Sequence, residues 1–449
     1  MRSQHRTSSR HCRVRVALVS AIVLLSPVGP AAAQSAAQSA GQSDARSARE
    51  TVSSWLRLRT TGYAFEEATR SGTKLDRFGA YQQFDGAVAG LFDGLATARF
   101  SGRFADDLSL VERTTTRSRL HVGYVELRPA SALRARGGRQ FLHTGATSLA
   151  LDGVSVTARP NRKMEANVWG GLRAPSDRSF EIGQDDDRGF GLGVTLRPSR
   201  RGSVGVSYAY REEDGAITAR PVAVDALASL IEGVSLRGRA VYDAEREGWI
   251  RAEAQGRWQS GPNAPVLSLQ ALDRRPSVDG ASYFARFSEV ERIRQGRASL
   301  RYERPNGFGG EAEYIGSFVD ERTSSRVEVA ALVPNGRIGY SARLGDTGEE
   351  TGWFGELGVR PVDWLFASAG ASLVTYALLE DAPEEEEREL ITAFGALRLD
   401  LRPGLAAHLE IQSVEDPSFS EDLRVLLGLD LVAGRGASRF GLDRGRFLP

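Results

Sequence analysis

Arginine and glutamate alternate with small apolar residues in many short segments of this 449-residue chain. Between residues 249 and 258, Arg251 and Glu253 fall on one face of an extended strand and Ile250 and Ala252 on the other, because successive side chains point to opposite faces. Charges on one face can attract ions and hydrated solutes, or they can pair across neighbouring strands and stiffen the wall. Both interpretations remain open for each candidate. The candidates are Arg99, Arg134, Arg136, Arg139, Arg237, Arg239, Arg251, Glu253, Arg301, Glu303, Glu311 and Glu313.

Signals for other kinds of chemistry are weak. His143 could act as a base for a nucleophilic hydroxyl of Thr144 or Ser148. A loop histidine next to hydroxyl residues usually has no catalytic role, however, and that interpretation is favoured. The chain has no G-x-S-x-G, P-loop or H-E-x-x-H motif. Acidic stretches at 185–187 and 384–387 could bind divalent cations, although solvated loop charge is the favoured interpretation. The sequence therefore predicts no catalytic residue, no metal site and no cofactor.

The elements that carry the charged positions are long strands. The alternation recurs in segments of about ten residues, long enough to cross a membrane at a tilt and longer than the strands of about five to six residues usual in soluble sheets. Their apolar positions are mostly Ala, Gly, Leu and Val, and aromatic residues concentrate near the segment ends. The pattern predicts about 22 strands, with a range of roughly 18–22, the first near 52–63 and the last near 421–433.

Recurrent prolines mark where pairs of strands end. Six of the eight follow an arginine, and all coincide with the ends of predicted strands, which indicates short turns at one side of a sheet. The other connections are longer and polar, and the loop at 274–293 contains a segment whose spacing suits a short helix. That loop could fold into the interior or lie across the mouth. The eight prolines are Pro129, Pro160, Pro198, Pro262, Pro305, Pro334, Pro361 and Pro403.

The ends of the chain indicate export. Residues 1–33 combine a basic start, an apolar stretch and a small-residue cleavage site, which predicts a signal peptide. Residues 34–50 are predicted to form a disordered periplasmic linker, and 51–433 a single barrel. The linker is too short to contain a plug domain. Residues 434–449 would be a C-terminal tail or contain the final strand, because Phe447 is not the terminal residue.

A resemblance covers roughly residues 117–172. The Tyr124-Val125-Glu126-Leu127 strand, Gly138-Arg139-Gln140, a short loop and Leu151-Asp152-Gly153-Val154 together resemble bacterial porins of the alginate-export and related types. The resemblance implies passive or substrate-selective diffusion, with Arg139 near the constriction.

The sequence as a whole predicts an all-β chain, a single transmembrane antiparallel barrel with short periplasmic turns and longer extracellular loops in the bacterial outer membrane. The expected function is a porin-like channel for passive or weakly selective diffusion of small hydrophilic solutes, with the twelve charged candidates lining its lumen. A structural or export-associated barrel with a closed lumen is the alternative, and an outer-membrane hydrolase is less favoured. Outer-membrane lipid, lipopolysaccharide and the barrel assembly machinery are the expected partners, and a net charge of +1 gives no support for nucleic-acid binding. The solute, the ion preference and the oligomeric state stay open.

Overall fold

The computed structural model of the protein describes residues 52–68, 74–107, 117–175, 179–183, 187–275, 291–346, 348–377, 387–415 and 422–435. Two compact units divide the chain, Met1–Ala48 and Arg49–Pro449, and the first lies outside the described residues. The predicted signal peptide, the whole of the predicted linker, the central part of the 274–293 loop and positions 436–449 also lie outside them. The acidic stretches at 185–187 and 384–387 are described only at their last residues. Within the described ranges, no helix is long and apolar enough to cross a membrane.

All of the strands belong to one antiparallel sheet. Strands β10 and β11 both pair with β9 and are separated only by Arg220, so they act as one interrupted strand and the sheet has 22 positions around its circumference. The strands are β1 Ser53–Ala68, β2 Lys74–Leu91, β3 Ala96–Asp107, β4 Arg117–Ala130, β5 Leu133–His143, β6 Ser148–Asn161, β7 Met164–Arg173, β8 Asp187–Ser199, β9 Gly202–Glu213, β10 Ala216–Ala219, β11 Pro221–Ile231, β12 Val234–Asp243, β13 Gly248–Gln259, β14 Val266–Arg274, β15 Ile293–Glu303, β16 Gly309–Val319, β17 Arg322–Val333, β18 Gly336–Gly345, β19 Glu349–Val362, β20 Leu365–Ala377, β21 Glu387–Arg402, β22 Leu405–Glu415 and β23 Asp422–Arg435.

The sheet closes on itself through its first and last described strands. Strand β1 pairs with β2 along one side and with β23 along the other, so the backbone groups of β1 are paired on both sides. Closure removes the free edges that would otherwise have to be covered or paired. The predicted fold class, a single antiparallel barrel of about 22 strands, is confirmed.

The eight recurrent prolines all lie at the same end of the barrel. Pro334 and Asn335 form the whole connection between β17 and β18, and Pro403 and Gly404 form that between β21 and β22. Proline fixes its own φ and cannot donate a backbone hydrogen bond, so it suits the last strand residues and the turns but not the middle of a ladder. At these two turns the residue after the proline has a positive φ, 64° at Asn335 and 82° at Gly404, which allows a tight reversal.

The two faces of the barrel wall differ in chemistry. Directly paired residues of an antiparallel sheet point to the same side, so a face can be followed from strand to strand. One face carries large exposed apolar side chains, including Val154 at 55%, Val168 at 60%, Trp249 at 58% and Trp353 at 59% exposure. The other face carries most of the arginines and carboxylates and most of the buried residues. The apolar face is therefore the outer surface, and the charged face lines the lumen.

Candidate functional site in the lumen

Eleven of the twelve charged candidates lie on the lumen face. Arg239 stands opposite Glu253 on the next strand, Arg301 is opposite Glu311, and Arg136 pairs with the buried Glu126. The strand pairing places the rest of these eleven candidates on the same inner face, opposite the exposed apolar side chains. The lumen-facing candidates are Arg99, Arg134, Arg136, Arg237, Arg239, Arg251, Glu253, Arg301, Glu303, Glu311 and Glu313.

Arg139 is the exception, and the expectation that it lines the lumen is corrected. In β5 it pairs with Gly123 and shares the odd-numbered, outward face with Phe141, which is 50% exposed. Arg134 and Arg136 are even-numbered residues of the same strand and face inward. A strand alternates its side chains with a period of two, so an odd-numbered and an even-numbered arginine of this strand cannot share a face.

A segment at residues 179–183, the outer strap, covers Arg139 on the outside of the wall. The Nε and Nη2 atoms of Arg139 each donate to a carboxylate oxygen of Asp152 at 2.7 Å. Its other N–H groups donate to the backbone carbonyls of Leu120, Ser179 and Glu181. All five donors of the guanidinium are thus satisfied, which a buried arginine requires. Side-chain exposure is only 4% for Arg139 and 10% for Asp152.

The charges on the lumen face mostly neutralise one another. Arg251 binds Glu253 at 2.5 Å, and Arg301 lies 2.7 Å from Glu303 and 3.2 Å from Glu311. Further ion pairs join Arg136 to Glu126, Arg239 to Asp225 and Arg297 to Glu313. Most of the charged ladder is therefore a set of partly exposed ion pairs, some between neighbouring strands and some between residues two apart on the same strand.

Three of the candidates have no carboxylate partner within the described part of the chain. Arg99 and Arg237 form no ion pair with any residue in the described ranges, and Arg134 contacts only the hydroxyl of Thr157, at 3.5 Å. Arg134 also lies near Arg136, whose own charge is matched by Glu126. The lumen between β3 and β12 thus keeps positive charge that the wall does not neutralise.

The connection between β5 and β6, residues 144–147, folds into the lumen, and we call it the inward turn. It is closed by its own hydrogen bonds, from Thr144 N to Thr147 O at 2.8 Å and from Thr147 N to Thr144 Oγ1 at 3.1 Å. It is attached to β9 by a hydrogen bond in which Ala146 N donates to Ser207 Oγ at 2.9 Å. Arg211 of β9 donates to the Thr147 hydroxyl.

Apolar side chains pack beneath the inward turn inside the lumen. The indole of Trp169 is 2% exposed and lies over Gly191, where an added Cβ would come within 2.5 Å of the ring. Glycines alternate at positions 189, 191 and 193 of β8, so the inner face of that strand leaves room for the ring and the turn. The cluster consists of Leu142, Ala146, Leu149, Leu151, Trp169, Ala209, Ala223 and Val241, with Ile250 packed against it.

The sequence did not predict the inward turn. The prediction placed a possible constriction in the 274–293 loop, of which residues 276–290 lie outside the described ranges. The alternating glycines of β8 are the signal that could have indicated a bulky neighbour on the inner face. His143 and Ser148 flank the turn, with Nδ1 and Oγ 3.4 Å apart and exposed. Among the described residues, no group of three or more His, Cys, Asp or Glu side chains could hold a metal ion.

A closed antiparallel barrel with an apolar outer face and a charged inner face is a transmembrane β-barrel of the outer-membrane type, which supports a bacterial outer-membrane location. No family model and no curated protein matches the chain. The resemblance to alginate-export porins therefore stays a prediction.

Solved structures of barrels resemble the chain at low sequence identity. The outer membrane protein opdK from Pseudomonas aeruginosa is 12% identical, with a TM-score of 0.40, over 85% of this chain and 99% of that one. A BenF-like porin from Pseudomonas fluorescens Pf-5 is 11% identical, with a TM-score of 0.44, over 86% and 99%. The P pilus usher (PapC) translocation pore is 9% identical, with a TM-score of 0.42, over 84% and 99%. The fold assignment for this chain rests on its own strand pairing.

Proposed function

We propose that the protein is a porin-type channel through which small hydrophilic solutes diffuse across the outer membrane. The observation that carries the proposal is the closed barrel whose inner face is charged along most of its circumference while its outer face is apolar. Such a lumen holds water, because unmatched charges and cross-strand ion pairs of this exposure are stable only when solvated. Lipopolysaccharide and the barrel assembly machinery are proposed as its partners during and after insertion.

We expect weak selectivity that favours anions. Ion pairs within and between strands cancel most of the lumen charge, whereas Arg99, Arg134 and Arg237 have no carboxylate partner among the described residues. Positive side chains on the wall of a narrow aqueous path raise the local concentration of anions. The inward turn reduces the open cross-section of the lumen on the same side of the barrel, between β5 and β9.

Single-channel recording in planar bilayers tests the channel. The purified, heat-modifiable barrel should give discrete ion currents, and a folded barrel without current would contradict the proposal. In a salt gradient, the double variant Arg99→Gln and Arg237→Gln should move the reversal potential toward cation preference. Arg188→Gln is the matched control, because Arg188 pairs with Glu212 on the outer face. An equal shift in the control would remove the two lumen arginines from the explanation.

One observation favours a second candidate, a structural or export-associated barrel with a closed lumen. The apolar cluster and the inward turn fill part of the lumen between β5 and β13, as a seal would. Absence of current from folded wild-type barrel, with current restored when Trp169 is replaced by Ala, would support this candidate over the open channel.

A further inference from the structure

A cavity of about 210 Å³ lies in the lumen against the inward turn. Thr144 and Gly145 of the turn form one side, next to His143 at the end of β5, and residues of β7, β8, β9, β11 and β12 form the rest. The polar lining includes Asn167, Thr195 and Ser207. The lining is mostly polar, and four of its side chains are hydroxyls or amides.

The ionised groups around this cavity are already paired. Asp225 binds Arg239 at 2.5 Å, and Glu165 binds Arg159 at 2.8 Å and Arg197 at 3.3 Å. A charged solute would have to break one of these pairs or stay uncompensated in a confined space, which is costly. An uncharged solute avoids that cost. The paired carboxylates keep unused lone pairs that can accept hydrogen bonds from hydroxyl groups.

One polar atom in the lining has no partner. Asn167 Oδ1 is shielded from solvent and accepts no hydrogen bond from any residue in the described part of the chain. It lies directly over Gly193, where an added Cβ would come within 2.5 Å of it, so the glycine leaves room for the amide. A shielded acceptor without a donor costs about 1–3 kcal/mol, so a small rotation of the half-buried Asn167 amide that presents Oδ1 to a donor on a bound solute is favoured.

We propose that this cavity is a binding site for a small uncharged solute rich in hydroxyl groups, such as a simple sugar or polyol. Once the Asn167 amide turns toward the cavity, a solute hydroxyl donates to its Oδ1, while neighbouring hydroxyls exchange hydrogen bonds with Thr195 and donate to the Asp225 carboxylate. The site lies beside the inward turn, so a solute that passes through the lumen would pause there. The proposal rests on the proposed function, since the solute must enter the lumen.

Glucose is a suitable probe, and the variant Asn167→Leu removes the acceptor while keeping a similar volume. Wild-type channels should show interruptions of the ion current whose frequency rises with glucose concentration. The apparent affinity should fall about tenfold in the variant, the loss expected for one hydrogen bond to a shielded acceptor. The matched control is Ser372→Ala with Thr392→Val, which removes a hydroxyl pair from the lumen face of β20 and β21.

The outcomes separate the site from the channel. Interruptions by glucose that are weakened by Asn167→Leu and unchanged in the control support the site. Ion current without any response to glucose, or equal responses in Asn167→Leu and the wild type, overturns the site and leaves the channel standing. Absence of current contradicts the channel, and titration of glucose into the detergent-solubilised barrel, followed by saturation-transfer NMR, then tests the site directly. Binding of glucose in that titration that is equal in both proteins also overturns the site. Unchanged heat-modifiability of the variant shows that it is folded.

Discussion

Replacement of Arg139 by Met should strongly destabilise the barrel although the residue lies outside the lumen. The guanidinium is 4% exposed, and the Asp152 carboxylate that it binds at two points is 10% exposed. Loss of the arginine leaves a buried carboxylate with only the Gly183 backbone N–H, at 2.9 Å, as a remaining donor among the described residues. Breaking a buried ion pair from one side typically costs about 3–5 kcal/mol, and we expect a loss of unfolding free energy in that range.

Urea unfolding of the barrel refolded in lipid vesicles measures the effect. Asp152→Asn should also destabilise, and the double variant should lose much less than the sum of the two single variants because the partners act together. Arg188→Met is the matched control, since its pair with Glu212 also bridges two strands on the outer face but is 63% exposed at the arginine. Equal losses for Arg139→Met and Arg188→Met would refute the argument from burial. Faster proteolysis within the outer strap of Arg139→Met would show that the strap has been released.

Three further predictions follow from close contacts. Gly138→Ala should cost about 1–3 kcal/mol because Gly138 has φ of 120° and a Cβ there would lie 2.3 Å from the Gly123 carbonyl oxygen, whereas Gly137→Ala, with open space around the site, should be tolerated in the same urea assay. Trp169→Ala should lose about 3–5 kcal/mol and raise the single-channel conductance, since it empties the apolar cluster; unchanged conductance would contradict its place in the lumen. Ser207→Ala should free the inward turn and increase current noise at constant mean conductance, and a quiet channel would argue against that hydrogen bond as the tether.

The fold was predictable because its determinants are local. Alternation with a period of two, strand length and the recurrent proline turns are all visible in windows of about ten residues. The barrel needs little else, since each strand pairs with its neighbour in the chain and only the β1–β23 seam joins distant residues. The predicted last strand near 421–433 corresponds to β23, which closes the barrel.

The arrangement inside the lumen was less predictable because it depends on contacts between distant residues. The inward turn is held by Ser207, which is 61 residues from Ala146, and no local pattern reports that contact. An irregularity in the pairing of β12 and β13 also breaks the predicted alternation of faces in one strand. A bulge opposite Val241 places Trp249 beside Tyr242 on the outer face, so Ile250 packs against the buried cluster, and its predicted place with Ala252 on the apolar face is wrong.

The position of Arg139 could not be predicted for a different reason. The density of arginine in residues 134–139 favoured one shared cluster in the lumen. In β5, however, odd-numbered residues face outward and even-numbered residues face inward, so Arg139 lies on the opposite side of the wall from Arg134 and Arg136. The outer strap that makes an outward arginine tolerable belongs to the β7–β8 connection, about 40 residues further along the chain. Composition could show that the charge was present, but only the strand register could show which side it faces.

The inward turn has a consequence for how the barrel is made. The turn, the apolar cluster and the hydrogen-bonded residues that hold them lie between Leu142 and Ile250, on consecutive strands β5 to β13. None of these contacts crosses the β1–β23 seam, which closes last if the strands pair in chain order. With that order of pairing, the inward turn and the apolar cluster are complete before the barrel is a closed tube. Defects in the seam should impair insertion and closure while they leave the shape of this part of the lumen intact.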